Sequence, residues 1–253
     1  MAKTQYDNSF FNYMTDAAIK STFEAVPYIY NIFKPQSVLD VGCGTASWLM
    51  GYNKLFGIED YRGVDGDYVD PKNLKIPADK FVPYDLTKYY DAGRQFDLVY
   101  SLEVAEHLPD AAADDFVRTL VNASKGIIVF SAALPGQGGT FHINEQFPEY
   151  WAKKFKQHGF VAVDYLRKKM WNNDVIDYWY RQNILIFIKP ELLSNYPELQ
   201  EAYKITDPEF LTRIHPFLLQ KKDEHIATLK SPVKHLRYRM YIMKERLKGN
   251  TTV

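Results

Sequence analysis

The fold of this chain is decided by residues 37–48, which read SVLDVGCGTASW. The aliphatic residues that open this segment are typical of a central strand of a parallel sheet, buried on both faces. Gly42 and Gly44 allow a tight turn in which the backbone approaches a ligand closely. A helix predicted over residues 46–56 would direct its free N–H groups and the positive end of its dipole at the same turn. The segment therefore predicts a strand, a turn and a helix that together form a nucleotide-binding site.

The residues around this turn distinguish between two classes of nucleotide ligand. A dinucleotide-binding turn reads Gly-x-Gly-x-x-Gly, and its third glycine permits close packing of the helix on the strand. Here Ser47 stands in the third position, and Asp40 lies in the strand just before the glycines. A carboxylate at Asp40 would repel a pyrophosphate, whereas it suits the ammonium and sulfonium groups of S-adenosylmethionine. The turn thus favours S-adenosylmethionine over a nicotinamide dinucleotide, and a purely structural turn is the third interpretation.

Composition indicates an ordinary globular protein. The chain has 253 residues, of which 46% are hydrophobic and 25% charged. Lys+Arg and Asp+Glu balance at 31 each, so no general basic surface for nucleic acid is expected. The single cysteine, Cys43, excludes an internal disulfide framework and a cysteine-cluster zinc site. Since neither a leader sequence nor an apolar run of membrane-spanning length is found, we predict a cytoplasmic protein without an integral membrane segment.

Two more predicted strands end in acidic residues. A strand over residues 61–67 contains Asp65 next to Gly66, at the interval after the glycine turn that places a carboxylate on ribose hydroxyls. A carboxylate can accept from both hydroxyls. A third strand, over residues 80–86, ends in Asp85 and Leu86. There an aspartate would accept from an adenine amino group while the leucine covers the ring.

The predicted fourth strand, over residues 96–101, leads into a polar turn. The turn carries Glu103, Glu106 and His107, and a helix with Pro109 near its start follows. Ligands in open α/β sheets bind at the carboxyl ends of the strands, which is where these side chains are expected. Three such residues together indicate a site-lining role.

A strongly apolar fifth strand, over residues 126–133, is followed by a glycine-rich loop over residues 134–146. Polar residues crowd the end of this loop, which is typical of a binding segment. A helix with Trp151 follows, and residues 160–166 and 183–188 are predicted as the last two strands. The polar loop residues are His142, Asn144, Glu145 and Gln146.

Several of these segments together resemble a bacterial subfamily of class I S-adenosylmethionine-dependent methyltransferases, often found among surface-polysaccharide and secondary-metabolite functions. The resemblance implies an α/β fold with a doubly wound, mixed seven-stranded, Rossmann-like sheet over residues 1–190. Within it, residues 1–36 would be an N-terminal helical lid. The segments that carry the resemblance are Ser37–Trp48, Gly63–Val69, Ser101–Pro109, Phe130–Thr140, His142–Gln146, Tyr150–Trp151 and Trp179–Phe187.

The resemblance also implies S-adenosylmethionine as cofactor, with S-adenosylhomocysteine as product. Many relatives have glycine at the position of Ala46, so helix packing behind the cofactor is expected to differ here. Carried over residue by residue, Asp40, Gly42 and Gly44 hold the methionine end, Asp65 and Gly66 the ribose, Asp85 and Leu86 the adenine, and Ser101, Leu102 and Glu103 border the sulfonium. The residues expected to bind the acceptor are Tyr6, Glu106, Asn144, Glu145, Gln146 and Trp151.

The chemistry required depends on the methyl acceptor. A sugar hydroxyl needs a general base, for which His142 is the first candidate and His107 the second. An anionic phosphate or phosphoramidate oxygen needs hydrogen-bond donors instead. The resemblance favours O-methylation of a small molecule, a nucleotide-activated or glycan precursor of a surface or capsular polysaccharide. A non-catalytic, cofactor-binding regulatory protein and a methyltransferase of secondary metabolites are the alternatives. No metal site is predicted, because His107, His142 and Glu145 lack a characteristic ligand spacing.

Residues 191–253 are predicted to form a helical C-terminal extension. Short helices are expected over residues 191–203 and 208–219. The last helix has an apolar seam flanked by basic residues, which fits a homodimer interface, a basic membrane-surface helix or a helix docked on the domain. Self-association or docking is favoured. The seam consists of Val233, Leu236, Met240, Met243 and Leu247.

Overall fold

The computed structural model describes residues 8–247, apart from the side chains of residues 8–17, 232, 234, 235 and 245–247. Over these residues seven strands form one sheet, in the order β3-β2-β1-β4-β5-β7-β6. The strands are β1 (Ser37–Val41), β2 (Asp60–Asp65), β3 (Phe81–Pro83), β4 (Leu98–Leu102), β5 (Ile127–Ser131), β6 (Val161–Val163) and β7 (Leu185–Ile188).

The first five strands are parallel, and β7 is antiparallel to both of its neighbours, β5 and β6. The order reverses between β1 and β4, which lie side by side with Asp40 opposite Tyr100. In open α/β sheets such a reversal opens a crevice at the carboxyl ends of the strands. The predicted seven-stranded mixed sheet is therefore confirmed.

Helices cover both faces of the sheet. Alternate strand residues enter two separate core clusters: Val38 packs with α1 and α2 on one face, and Leu39 packs with α3 and α4 on the other. Burial on both faces explains why β1 and β4 are apolar along most of their length. The helices are α1 (Asn8–Phe33), α2 (Ser47–Phe56), α3 (Ala113–Ala123), α4 (Pro148–Gln157), α5 (Leu166–Met170), α6 (Tyr178–Asn183), α7 (Pro197–Ile205), α8 (Pro216–Lys230) and α9 (Pro232–Leu247).

The N-terminal helix α1 is a core element over its second half. Val26 and Ile29 are buried, and a Cβ atom built on Gly51 of α2 would lie 2.3 Å from Thr22 Cγ2. The two helices thus pack closely because Gly51 has no side chain. Ala18, earlier in the same helix, lines a cavity at the carboxyl ends of the strands. Tyr6, the lid residue predicted to face the acceptor, lies outside the described residues.

The C-terminal extension continues the packing of the domain beyond residue 190. Leu193 and Leu199 belong to one core cluster, and Leu211 to the other. Leu218 of α8 packs against Leu134 and Tyr178. A boundary at residue 190 therefore does not separate two independently packed units, since both core clusters contain residues on either side of it.

The apolar seam of α9 lies on the surface. The side chains of Val233, Leu236, Met240 and Met243 are 59–63% exposed. The helix pairs with α8, where the His225 and Tyr238 rings meet edge to face at 5.3 Å. The interpretation that this seam docks on the domain is wrong for these four residues, and the dimer and membrane-surface interpretations stay predictions. Within residues 8–247 no helix combines the length and apolarity that crossing a membrane requires.

Candidate functional site

A cavity of about 930 Å³ opens at the carboxyl ends of β1, β2 and β4. Nine of the ten predicted cofactor residues line it, and Ser101 does not, because it is fully buried in β4. The lining also includes Tyr68, His107, Phe141, Ile143 and Tyr180. The residues that line the cavity as predicted are Asp40, Gly42, Gly44, Asp65, Gly66, Asp85, Leu86, Leu102 and Glu103.

Asp40 places a buried carboxylate at the floor of this cavity. The residue is 2% exposed, and its Oδ2 atom receives no hydrogen bond from any residue between 8 and 247. Burial, together with the nearby Asp65 carboxylate, raises the pKa of Asp40 well above its usual range. A buried carboxylate oxygen without a partner is unfavourable unless a ligand supplies the missing donor. A cationic group in the cavity would satisfy Asp40.

The glycine turn brings the backbone itself into the cavity. Gly42 has a φ of +85°, and a Cβ atom built on it would lie 2.3 Å from Val104 Cγ2. At Gly44, with a φ of +53°, an added Cβ would meet nothing within 4 Å. Ala46 also adopts a left-handed φ of 61°, at the start of α2. A glycine at this position would adopt the same conformation without strain.

We expect opposite results from changing these two positions in the turn. Gly42→Ala should lower the free energy of unfolding by about 1–3 kcal/mol, because it adds both an unfavourable φ and an overlap with Val104. Ala46→Gly, in the same turn, should keep or raise stability because it relieves a left-handed φ. Urea unfolding of the two variants measures both effects. Equal losses in the two variants would contradict this explanation of the turn.

Asp65 holds the glycine turn and faces the cavity at the same time. Its Oδ2 accepts from Gly44 N at 2.6 Å, and its Oδ1 accepts from Gly66 N at 2.6 Å and from the Tyr68 hydroxyl. Burial raises the pKa of Asp65 despite these hydrogen bonds. Tyr68, which the sequence analysis did not identify, therefore donates to a carboxylate oxygen at the wall of the cavity.

Asp85 and Leu86 line the far side of the cavity. Asp85 is exposed, and its Oδ1 accepts from Thr87 N at 3.1 Å and from Thr87 Oγ1 at 2.6 Å. The Thr87 hydroxyl is the main cause of the lowered pKa of Asp85. Leu86 is buried. The carboxylate therefore already has local partners, whereas the leucine offers an apolar wall.

Glu103 is held by a buried polar network that links β4 to the C-terminal part of the domain. It adopts a left-handed φ of 56°, and its carboxylate accepts from Asn183 Nδ2 at 3.0 Å and from Gln137 Nε2 at 2.9 Å. Gln182 joins Gln137 through a 3.0 Å bond and accepts from His215 N at 2.8 Å. The strained backbone and the two amide donors fix the Glu103 carboxylate beside the cavity. The sequence analysis did not identify these amide residues.

Glu106, His107 and His142 form a compact cluster next to the cavity. One ligand atom from each lies within 4.8 Å of the others. Glu106 is fully buried, and neither of its carboxyl oxygens has a side-chain hydrogen-bond partner within the described part of the chain. Burial, with a smaller effect of the Glu103 carboxylate, raises the pKa of Glu106 well above its usual range. The two imidazole rings meet edge to face with centroids 4.8 Å apart. Burial, with a smaller effect of His142, lowers the pKa of His107 to about 4.

Hydrogen bonds from Nδ1 determine the neutral tautomer of each ring. His142 Nδ1 lies 2.8 Å from Glu145 Oε1, and His107 Nδ1 lies 3.3 Å from the carbonyl oxygen of Phe141. A carboxylate and a carbonyl accept, so Nδ1 carries the proton in the neutral form of both rings, and Nε2 then has the free lone pair. Glu145 thus supports His142 from behind, and it also accepts from Gly136 N and Gly138 N, each at 2.8 Å.

The remaining predicted acceptor residues do not contribute side chains to this cluster. Asn144 is 6% exposed and its Oδ1 accepts from Gln146 Nε2 at 2.9 Å, so these two side chains bind each other. The assignment of Trp151 to the acceptor site is wrong in this structure. Trp151 is 2% exposed and packs on Phe130 in the core, because it lies on the inward face of α4.

Comparison with known proteins agrees with this architecture. The sequence matches the family described as "Methyltransferase domain" over residues 12–175. No curated protein has a matching sequence. An O-methyltransferase family protein from Burkholderia thailandensis is similar in structure, with 12% identity and a TM-score of 0.54 over 73% of this chain and 60% of that one. Human N-acetylserotonin methyltransferase, solved in complex with SAM, has 13% identity and a TM-score of 0.51, covering 71% of this chain and 55% of that one. This chain thus spans less than two thirds of either neighbour.

Proposed function

Because this chain belongs to the family of methyltransferase domains, we propose that it transfers the methyl group of S-adenosylmethionine to an oxygen atom of a small polar acceptor. One observation carries the proposal. The predicted cofactor residues Asp40 and Asp65 line the same cavity as His107, which belongs to the cluster of Glu106, His107 and His142. A methyl donor and an acceptor would therefore meet within a single crevice, as an in-line displacement requires.

The residues on the cofactor side suit the groups of S-adenosylmethionine. The partnerless, buried oxygen of Asp40 suits the ammonium group, and the open backbone at Gly44 leaves room for the methionine end. Asp65 would accept from the ribose hydroxyls and Leu86 would cover the adenine. When bound, S-adenosylmethionine supplies a methyl group already activated by its sulfonium. The protein therefore mainly needs to align the two reactants and exclude water.

On the acceptor side, we propose that His142 activates the oxygen atom that receives the methyl group. Its Nε2 lone pair is left free by the Nδ1 bond to Glu145. This nitrogen would act on the acceptor directly as a general base or, as developed below, through a bound ion. We propose a hydroxyl or phosphate-type oxygen of a surface-polysaccharide precursor as the acceptor, on the strength of the resemblance described for the sequence.

Acceptor screening tests the proposal. Purified protein is incubated with S-adenosylmethionine and a panel of nucleotide sugars and glycan precursors, and both S-adenosylhomocysteine and acceptor mass are measured. We expect one acceptor to gain the mass of one methyl group, with S-adenosylhomocysteine formed in equal amount. Methylation of a nitrogen atom would overturn the assignment to oxygen. Cofactor binding without turnover across the panel would instead favour a regulatory protein.

We expect His142→Ala to lower kcat by about 100-fold, because removing a general base or an equivalent acceptor contact costs at least that much. The affinity for S-adenosylmethionine, measured by calorimetry, should stay within a factor of two, since His142 does not line the cofactor cavity. His142→Asn should behave similarly. His158→Ala, at an exposed position after α4, is the matched control. Unchanged turnover in both His142 variants would remove this residue from catalysis.

A further inference from the structure

We propose that Glu106, His107 and His142 together bind one divalent transition-metal ion. The site lies between the loop that follows β4 and the loop that follows β5, and these two strands are neighbours in the sheet. Glu106 and His107 lie on the first of these loops, and His142 lies on the second. The catalytic relevance of the ion rests on the proposed function, but its binding does not.

The buried Glu106 carboxylate is the strongest observation for this site. The side chain is 0% exposed, and no described side chain within residues 8–247 donates a hydrogen bond to either oxygen. Burial raises the pKa of Glu106, and the backbone N–H groups of Glu106 itself and of Ala133 offset that effect only in part. Burying an unpaired carboxylate is costly, so such a group is protonated, paired with a cation or bound to a metal. Backbone hydrogen bonds fix the position of this residue. The main-chain carbonyl oxygen of Glu106 accepts from Ile143 N at 2.9 Å and from Asn144 N at 3.0 Å. These bonds hold the two loops together around the carboxylate.

Both histidines have the hydrogen bonds that are typical of metal ligands. A histidine that binds a metal through one nitrogen usually donates its other N–H to a carboxylate or a backbone carbonyl. His142 does so to Glu145, and His107 to the carbonyl of Phe141. The Nε2 atoms are therefore left free. His142 Nε2 lies 4.0 Å from Glu106 Oε1, which is too long for a hydrogen bond and leaves room for an ion between them.

The dimensions of the cluster suit a small cation. The three ligand atoms lie within 4.8 Å of one another, whereas ligands bound at about 2.0–2.2 Å lie roughly 3–3.5 Å apart. A contraction by about 1 Å, within reach of side-chain rotation, would complete the site. Two imidazoles and a carboxylate favour zinc, manganese, iron, cobalt or nickel over magnesium or calcium.

Three protein ligands would leave coordination positions open, as in catalytic metal sites. His107 lines the main cavity, so an open position would be accessible from it. The class of ligand that we infer for that position is an oxygen-bearing acceptor, whose hydroxyl or phosphate-type oxygen would bind the ion. Glu103 is not counted as a ligand, because its carboxylate is held by Asn183 and Gln137.

Metal binding is tested directly, without cofactor or acceptor. The full chain is stripped with a chelator and titrated with Co²⁺, which is followed by calorimetry and by its visible absorption spectrum. We expect one ion per chain, and a spectrum that shows nitrogen and oxygen ligands. Glu106→Gln and His142→Asn should each weaken binding by more than 100-fold. Glu145→Gln should weaken it by about 10–100-fold, since it removes the support of a ligand.

The controls are two exposed histidines, His158 and His225, whose alanine variants should bind Co²⁺ normally. Circular dichroism of each variant checks that the chain is folded. The site would be overturned if the folded wild-type protein did not bind Co²⁺. It would also be overturned if Glu106→Gln and His142→Asn bound Co²⁺ as tightly as the wild type. Co²⁺ binding without methylation of any acceptor would leave the site standing and refute the proposed function. Methylation that survives complete metal removal, in a protein that binds Co²⁺, would keep both assignments but make the ion dispensable for turnover.

Discussion

Asp65→Ala is expected to weaken the binding of S-adenosylmethionine by about 100- to 10,000-fold, since each hydrogen bond to a charged acceptor contributes about 1.5–3 kcal/mol. The proposed ribose contact uses two such bonds. The substitution also frees Gly44 N and Gly66 N, whose hydrogen bonds to Asp65 hold the turn that faces the cofactor. Isothermal titration calorimetry with S-adenosylmethionine measures the effect.

The matched control lies on the same strand. Asp60, at the start of β2, forms an exposed ion pair with Arg94 and lies at the opposite end of the strand from the cavity. Asp60→Ala should therefore bind the cofactor within a factor of two of wild type. Undiminished affinity in Asp65→Ala would refute the assignment of this cavity wall to the ribose.

Tyr68→Phe separates the two tasks of Asp65. Its hydroxyl donates to Asp65 Oδ1, where a ribose hydroxyl would also donate. If the tyrosine and the ribose compete for that oxygen, removing the hydroxyl should leave affinity equal or higher. A loss of affinity close to that of Asp65→Ala would mean that Tyr68 is needed to hold the carboxylate in place.

Local pattern was enough to predict that most of the proposed cofactor residues lie together around one cavity. Asp40, Asp65 and Leu102 each end a strand or precede a turn, and parallel strands bring their carboxyl ends to one edge of the sheet. Strand membership alone therefore places these residues together. Ser101 was misplaced because successive residues of a strand point to opposite faces, and a shift of one position buries the side chain.

Contacts between distant segments were beyond the reach of the sequence pattern. Asn183 binds Glu103 across 80 residues of chain, and no periodicity links the two. Trp151 was misassigned because an aromatic residue on an amphipathic helix fits a core and a binding surface equally well. The sequence analysis considered Glu145 as a metal ligand, whereas the fold places it behind His142 and brings Glu106 to the front.

The C-terminal part of the domain is anchored by one buried ion pair. Arg167 of α5 is 2% exposed and binds Asp164 through two bonds, from Nε to Oδ1 at 2.8 Å and from Nη2 to Oδ2 at 2.6 Å. Its Nη1 donates to the carbonyls of Gln182 at 3.2 Å and Leu211 at 2.7 Å. The guanidinium thus joins β6, α6 and the segment that leads to α8.

Asp164→Ala is expected to lower the free energy of unfolding by about 3–5 kcal/mol, because it leaves a buried guanidinium without its counter-charge. Urea denaturation followed by circular dichroism measures the change. The control is Lys153→Ala, since Lys153 pairs with Glu209 of the same C-terminal segment but both side chains are more than 60% exposed. An exposed pair contributes at most about 1 kcal/mol, so this variant should stay close to wild type.

The same substitution should also affect the polar network around Glu103, because Arg167 holds the Gln182 backbone while the Gln182 side chain binds Gln137. Loosening this residue would free the Glu103 carboxylate from one of its two amide donors. We therefore expect Asp164→Ala, measured well below its melting temperature, to lose turnover as well as stability. Equal, small losses in Asp164→Ala and Lys153→Ala would show that the segment is held by apolar packing of Leu199 and Leu211 instead.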